Sequence, residues 1–142
     1  MARQIKVLIV EDDPYRMERF REIFKNDDLT WAKTAEEGIK WLKKVQYDLV
    51  MFDHDLAEEH YHNLIQSASV GQGTGREVAK YMVGMSNPPQ FAFVHSWNPT
   101  GAKAIGQILA DGGISHVVLP FGSKALEMGI KRFQNLFRDQ ND

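Results

Sequence analysis

The 142-residue chain has no cysteine, which excludes disulfides, thiolate nucleophiles and cysteine-ligated zinc. It has no apolar run of the roughly 18 residues that a membrane-spanning helix requires. Basic residues are not in excess: 17 Lys and Arg stand against 19 Asp and Glu, for a net charge of -2. That balance lacks the electrostatic footprint of a nucleic-acid binder or of a polybasic membrane surface, so neither long nucleic acids nor membranes are expected partners. No Gly-rich phosphate loop, nucleophilic triad, internal repeat or linker occurs. No signal-like segment opens the chain, and with the missing apolar span this makes a cytoplasmic location the expectation. An apolar fraction of 43% with 25% charged residues suits one globular core rather than disorder.

What is present is a repeated pattern of short apolar runs that break into polar residues. Ile5 to Val10 is rich in β-branched residues and ends in Glu11-Asp12-Asp13; its length favours a buried strand. Asp13 suits a helix N-cap and Pro14 the first helical position, after which Met17, Phe20 and Phe24 recur at helical spacing. Leu29 to Ala32 predicts a second strand, and Thr34 with Glu37 a capping box for a helix burying Ile39, Leu42 and Val45. Asp48 to Phe52 predicts the third strand, which ends in Asp53-His54-Asp55. A long loop follows at about 54–74, with His60 and His62 inside it; loops of that length tend to be functional.

A helix from about Gly75 to Met85 is expected, stopped by Asn87-Pro88-Pro89, then a strand from Phe91 to Val94 ending in His95-Ser96-Trp97-Asn98. Asn98 and Pro99 open a helix that Gly112-Gly113 closes. His116 to Leu119 predicts the fifth strand, and Ser123 caps a last helix carrying Leu126, Ile130, Phe133 and Phe137. These boundaries describe one domain over residues 1–138 and a polar tail at 139–142. Five strands alternating with five helices predict a doubly wound, flavodoxin-like α/β sandwich: a five-stranded parallel sheet of order 2-1-3-4-5 with helices on both faces. In that order strands one and three are neighbours, so Glu11, Asp12, Asp53 and Asp55 converge at one sheet edge, flanked by His95, Ser96 and Asn98.

Val7-Leu8-Ile9-Val10-Glu11-Asp12-Asp13-Pro14, Asp53 at the end of strand three, Gly75-Arg76-Glu77-Val78 and Ser96 at the end of strand four together resemble the receiver domain of response regulators, whose fold is CheY-like. The resemblance spans nearly the whole chain and aligns Asp53 with the phosphoacceptor. Three positions depart from the pattern. Leu119 stands before Pro120 where receivers carry a lysine, with Lys124 further on; Trp97 replaces a small residue; and the loop between Asp53 and Gly75 is longer. Asp53-His54-Asp55-Leu56, His95-Ser96-Trp97-Asn98-Pro99 and the Asp12-Asp13-x-x-Arg16 motif resemble the divergent group of cyclic-phosphate-processing receiver domains. That resemblance implies a metal-assisted phosphoesterase acting on a cyclic phosphate. Receiver-like domains also pair through their fourth-helix and fifth-strand face, which makes a homodimer an expectation.

The chemistry of the residues runs alongside. Carboxylates crowded at adjacent strand ends repel one another unless a cation neutralises them, and hard oxygen donors favour Mg²⁺ or Mn²⁺. Asp12 and Asp53 are the expected ligands, with Glu11 and Asp55 open between ligation and local capping. His95, or alternatively His54, supplies an imidazole for proton transfer. Strand alternation from Asp53 would, however, turn His54 away from both carboxylates. Ser96 and Asn98 at a helix N-terminus, with Lys103 and Arg16, offer a phosphate site. Trp97 either stacks on a nucleobase or closes the core, and His60 and His62 are lid residues, late metal ligands or solvated.

The leading expectation is therefore a metal-dependent phosphoesterase opening a cyclic phosphate, either a cyclic nucleotide or a 2',3'-cyclic phosphate end. The first alternative is an atypical receiver, phosphorylated on Asp53 or independent of phosphate. The second is a non-catalytic cyclic-nucleotide binder.

Overall fold

The computed structural model describes residues 4–53, 75–96 and 99–140. In these stretches five strands, β1 (Lys6–Val10), β2 (Asp28–Ala32), β3 (Leu49–Phe52), β4 (Phe91–Val94) and β5 (Ser115–Val118), alternate with five helices: α1 (Pro14–Ile23), α2 (Ala35–Lys44), α3 (Gly75–Val83), α4 (Pro99–Asp111) and α5 (Lys124–Gln140). All pairings are parallel and the order is β2-β1-β3-β4-β5, the doubly wound arrangement expected of alternating strands and helices.

Strand alternation divides the core into two layers. Leu8, Val10, Val50, Phe52, Ala92 and Val94 face α2, α3 and α4, meeting Leu42, Val78, Met82, Ile105 and Leu109. Val7, Ile9, Leu49, Met51 and Phe93 face α1 and α5, meeting Met17, Phe20, Phe24, Leu126, Ile130 and Phe137. The inner strands β1, β3 and β4 are buried on both faces, which is why they read as unbroken apolar runs.

Local signals set the helix starts. Asp13 accepts a hydrogen bond from the Tyr15 N–H, Thr34 Oγ1 one from the Glu37 N–H, and Ser123 Oγ one from the Leu126 N–H. Glu37 reaches back to the Lys33 N–H rather than to that of Thr34, a capping box widened by one residue.

Several boundaries differ from expectation: β1 begins at Lys6, β2 at Asp28 and β3 at Leu49, each one residue from its expected start. The fifth strand is shifted one residue earlier, because Ser115 pairs with Phe91 while Leu119 contributes only the rung beyond the last register pair. The third helix ends at Val83, where the Gly84 and Met85 N–H groups make tight-turn bonds to Tyr81 and Met82. The last helix runs through Gln140. Its final turns are held by Asp27, whose fully buried carboxylate accepts hydrogen bonds from the Ile5 N–H (3.1 Å), Gln134 Nε2 (3.0 Å) and Arg138.

Gly75 and Asp53 flank residues 54–74 and lie against each other. A Cβ on Gly75 would stand 2.3 Å from the Asp53 carbonyl oxygen, so the start of α3 admits only glycine there. The expected long loop at 54–74 falls outside the described residues, as do His54, Asp55, His60, His62, Trp97 and Asn98.

Candidate functional site

The site grows out of strand register. Val10 pairs with Phe52, Phe52 with Val94, and Val94 with Val118, so the next residues, Glu11, Asp53, His95 and Leu119, form one row at the carboxyl edge. Backbone bonds carry the ladder one rung further: the Asp53 N–H donates to the Val10 carbonyl, the His95 N–H to Phe52 and the Leu119 N–H to Val94. Each is two residues beyond Ile9, Met51, Phe93 or Val117, all of which belong to the α1/α5 layer. Alternation therefore aims the whole row toward α1 and α5.

That orientation decides the environment of His95. Its side chain is wholly buried, its ring packs edge-to-face on Phe20 at 4.8 Å between centroids, and its Nε2 lies 2.9 Å from Glu11 Oε1. A carboxylate only accepts, so Nε2 carries the hydrogen. Nδ1 is buried with no hydrogen-bond partner among the described residues. Glu11 is equally buried, and its other oxygen accepts from the Asp13 N–H at 3.0 Å and faces Arg16 Nη2 at 3.3 Å. Burial pushes the Glu11 carboxyl upward, but the His95 hydrogen bond and the charges of His95 and Arg16 outweigh it and hold the pKa below the ordinary value.

Arg16 ties the cluster together. From the first turn of α1 its Nη2 lies 3.2 Å from Asp53 Oδ2 as well as 3.3 Å from Glu11 Oε2, and its Nε 3.6 Å from Asp13 Oδ2. Its guanidinium carbon stands 5.9 Å from the Phe121 ring centroid. Asp53, almost wholly buried, has its pKa raised, chiefly by burial and further by Glu11, against the opposing effects of His95, Arg16 and a hydrogen bond with Ser96. Asp12, half-buried, is pushed up to about 6 by burial and by the neighbouring Glu11 charge.

Glu11, Asp12 and Asp53 each offer a carboxylate oxygen, all within 4.8 Å of one another. Three hard donors with an excess of negative charge fit Mg²⁺ or Mn²⁺. Asp12 is the most exposed of the three, while both Glu11 oxygens are engaged and Asp53 meets Arg16 and Ser96.

The other site residues expected from sequence are placed as follows. Ser96 is buried and bonds to Asp53, and it also helps to line a groove of about 630 Å³ between α4 and β5, with Lys103, His116 and Gly106. Lys103 is exposed in the second turn of α4. His116 is a strand residue with Nδ1 bonded to the Ile114 carbonyl. Leu119, at the position where receivers carry a lysine, packs into the α1/α5 layer, and Lys124 is exposed at the start of α5. Phe20 and Phe121, in edge-to-face contact with each other, wall the site on the α1 side; in the sequence their apolar character beside two polar strand ends is the one signal for this.

A doubly wound parallel sheet with an acidic cluster at the carboxyl ends of its first and third strands defines a receiver domain of the response-regulator type. Residues 7–111 match the family described as the Cyclic-phosphate processing Receiver domain, and the chain belongs to that family. It is 31% identical over 136 residues to a protein-glutamate methylesterase/protein-glutamine glutaminase of Symbiobacterium thermophilum, covering 93% of this chain but 33% of that protein. The chain thus spans about a third of the length of that curated relative.

Among solved structures it is similar to the receiver domain of the sensor histidine kinase PA1611 from Pseudomonas aeruginosa PAO1, which holds a magnesium ion in its active site cleft. The TM-score is 0.67 at 13% identity, with 96% of this chain and 99% of that one covered. It is also similar to the response regulator domain of Thermotoga maritima CheB (TM-score 0.63, 17% identity, 96% of each chain). A third is the Mn(2+)-bound response regulator Rcp1 (TM-score 0.57, 18% identity, 92% of this chain and 91% of that one). At these identities the structural likeness concerns the fold.

Proposed function

We propose that this domain works as an atypical signalling receiver that binds a divalent cation through Asp12 and Asp53 and accepts a phosphoryl group on Asp53. The observation that carries the reading is the bridge from Arg16 Nη2 to Asp53 Oδ2 at 3.2 Å. It supplies a guanidinium beside the acceptor carboxylate, where Leu119 leaves no lysine. A bound cation would lower the repulsion between the carboxylates and an incoming phosphate. Asp53 attacks phosphorus through a carboxylate oxygen, forming an aspartyl phosphate as the donor's leaving group departs. Arg16 then faces the new phosphoryl oxygens, for which guanidinium is a matched partner, and the Ser96 hydroxyl, already bonded to Asp53, donates to one of them. The metal-bound PA1611 and Rcp1 receivers support the choice of Mg²⁺ or Mn²⁺. The CheB-related similarity supports a signalling role.

A second reading is hydrolysis of a cyclic phosphate, which the description of the matched family favours. In that reaction water attacks phosphorus and a general acid serves the leaving alkoxide. His95 is wholly buried against Phe20 and bonded to Glu11, so it would act on a substrate only after leaving both partners. This contact favours the receiver reading. Incubation with Mg²⁺ and acetyl phosphate, followed by intact-mass measurement, tests it beside a panel of cyclic phosphates. An Asp53-dependent phosphoryl adduct without cyclic-phosphate turnover supports the receiver. Turnover lost in Asp53→Ala and His95→Ala, with no adduct, supports the hydrolase.

A further inference from the structure

We propose that Arg16 is a resident counter-cation of the acidic site, which a divalent ion must displace in order to bind. The inference rests on the cation-binding part of the receiver reading and concerns how that binding is regulated. One nitrogen, Nη2, lies between Glu11 Oε2 at 3.3 Å and Asp53 Oδ2 at 3.2 Å, and these two residues belong to the trio that can hold a metal. The guanidinium thus occupies one oxygen on each of two candidate ligands, while His95 engages Glu11 Oε1 and Ser96 also bonds to the Asp53 side chain. Two cations cannot share so small and dry a space without strong repulsion, since Glu11 and Asp53 are 0% and 3% exposed.

The same arginine has neighbours outside the trio, although its Nε makes no hydrogen bond among the described residues. Its Nε is 3.6 Å from Asp13 Oδ2, a residue with a 37% exposed side chain, and its guanidinium carbon stands 5.9 Å from the Phe121 ring. Arg16 itself is 18% exposed, so it borders solvent and can swing outward while keeping Asp13 as a partner. In the resting protein Arg16 neutralises the buried acids. With a divalent ion present it is released toward Asp13 and Phe121, in reach of the charge that a phosphoryl group would bring to Asp53. Arg16 is then a positioning residue that sets cation affinity.

Calorimetric titration with MnCl₂, without phosphodonor, tests this. Arg16→Gln is expected to bind Mn²⁺ about tenfold more tightly than wild type, because a competing positive charge is gone, whereas Arg16→Lys stays near wild type. A folded Arg16→Gln variant that binds equally or more weakly overturns the proposal. Where that variant does not fold, the wild-type protein decides: the Arg16 Nε–Hε NMR signal is expected to shift on addition of Mg²⁺, and a signal that saturating Mg²⁺ leaves in place overturns it. Equal Mn²⁺ binding by wild type and Arg16→Gln defeats only the displacement of Arg16. No Mn²⁺ binding by either protein defeats the cation-binding part of the receiver reading and this inference with it.

Discussion

His95 Nε2 lies 2.9 Å from Glu11 Oε1, with both side chains wholly buried. The pair joins the ends of β4 and β1 across the intervening β3 and fixes the Glu11 carboxylate beneath Arg16. His95→Ala removes a donor from a buried carboxylate and opens a cavity beside Phe20, and is expected to cost about 3 kcal/mol in denaturant unfolding. A loss below about 0.5 kcal/mol, the range of ordinary surface substitutions, would show that the pair does not support the fold.

Asp12 gives the site its pH dependence. Its carboxyl is raised from 3.8 to about 6, so the folded state holds this proton more tightly than the unfolded chain does. The contribution to stability is complete below pH 3.8 and is lost as pH rises to about 6. A divalent ion competes with the same proton, so Mn²⁺ affinity should fall as pH drops through about 6. Asp12→Asn should flatten that profile, as titrations on either side of this value will show. Glu11, whose pKa is lowered, acts in the opposite sense: its contribution is present above its ordinary value of 4.5 and is lost as pH falls.

Asp27 latches the last helix to the start of the sheet through the Ile5 N–H, Gln134 and Arg138. Asp27→Ala strands these donors and is expected to destabilise the domain by about 3 kcal/mol. Hydrogen exchange should then rise first in the final turns of α5, which this carboxylate holds. Unchanged protection there would refute the latch.

Gly75→Ala places a Cβ 2.3 Å from the Asp53 carbonyl oxygen. Backbone cannot yield as a side-chain tip does, so a loss of about 2 kcal/mol in stability is expected, together with weaker Mn²⁺ binding as Asp53 shifts. A variant matching wild type in both would contradict this close approach.

Much of this architecture was legible in the chain because the determining signals are local. Asp13, Thr34 and Ser123 cap the helices they were expected to cap, and the apolar runs at Val7, Val50 and Phe93 are the inner strands. The row of Glu11, Asp53 and His95 followed from the order of the strands. The direction in which His95 points was also present in the alternation of Phe91, Phe93 and His95, yet a polar residue at a strand end suggests an open site more readily than a buried contact. Arg16 was legible only as a nearby cation. That its Nη2 would bridge two strands depends on how α1 packs over the sheet, which no local pattern encodes. The end of α3 is not legible locally because tight-turn bonds at Gly84 and Met85 decide it, and the hold of Asp27 on α5 spans the whole chain.

The central claim is that Asp53 takes a phosphoryl group with the help of a divalent cation held beside it. Wild-type protein and Asp53→Asn should be incubated with acetyl phosphate, each with Mg²⁺ and with excess chelator, and the products measured by intact mass and peptide mapping. The expected result is a single phosphoryl adduct on the peptide containing Asp53, formed by wild type with Mg²⁺ and absent from the other three samples. An adduct that persists in Asp53→Asn, or that forms equally well with chelator, would contradict the account.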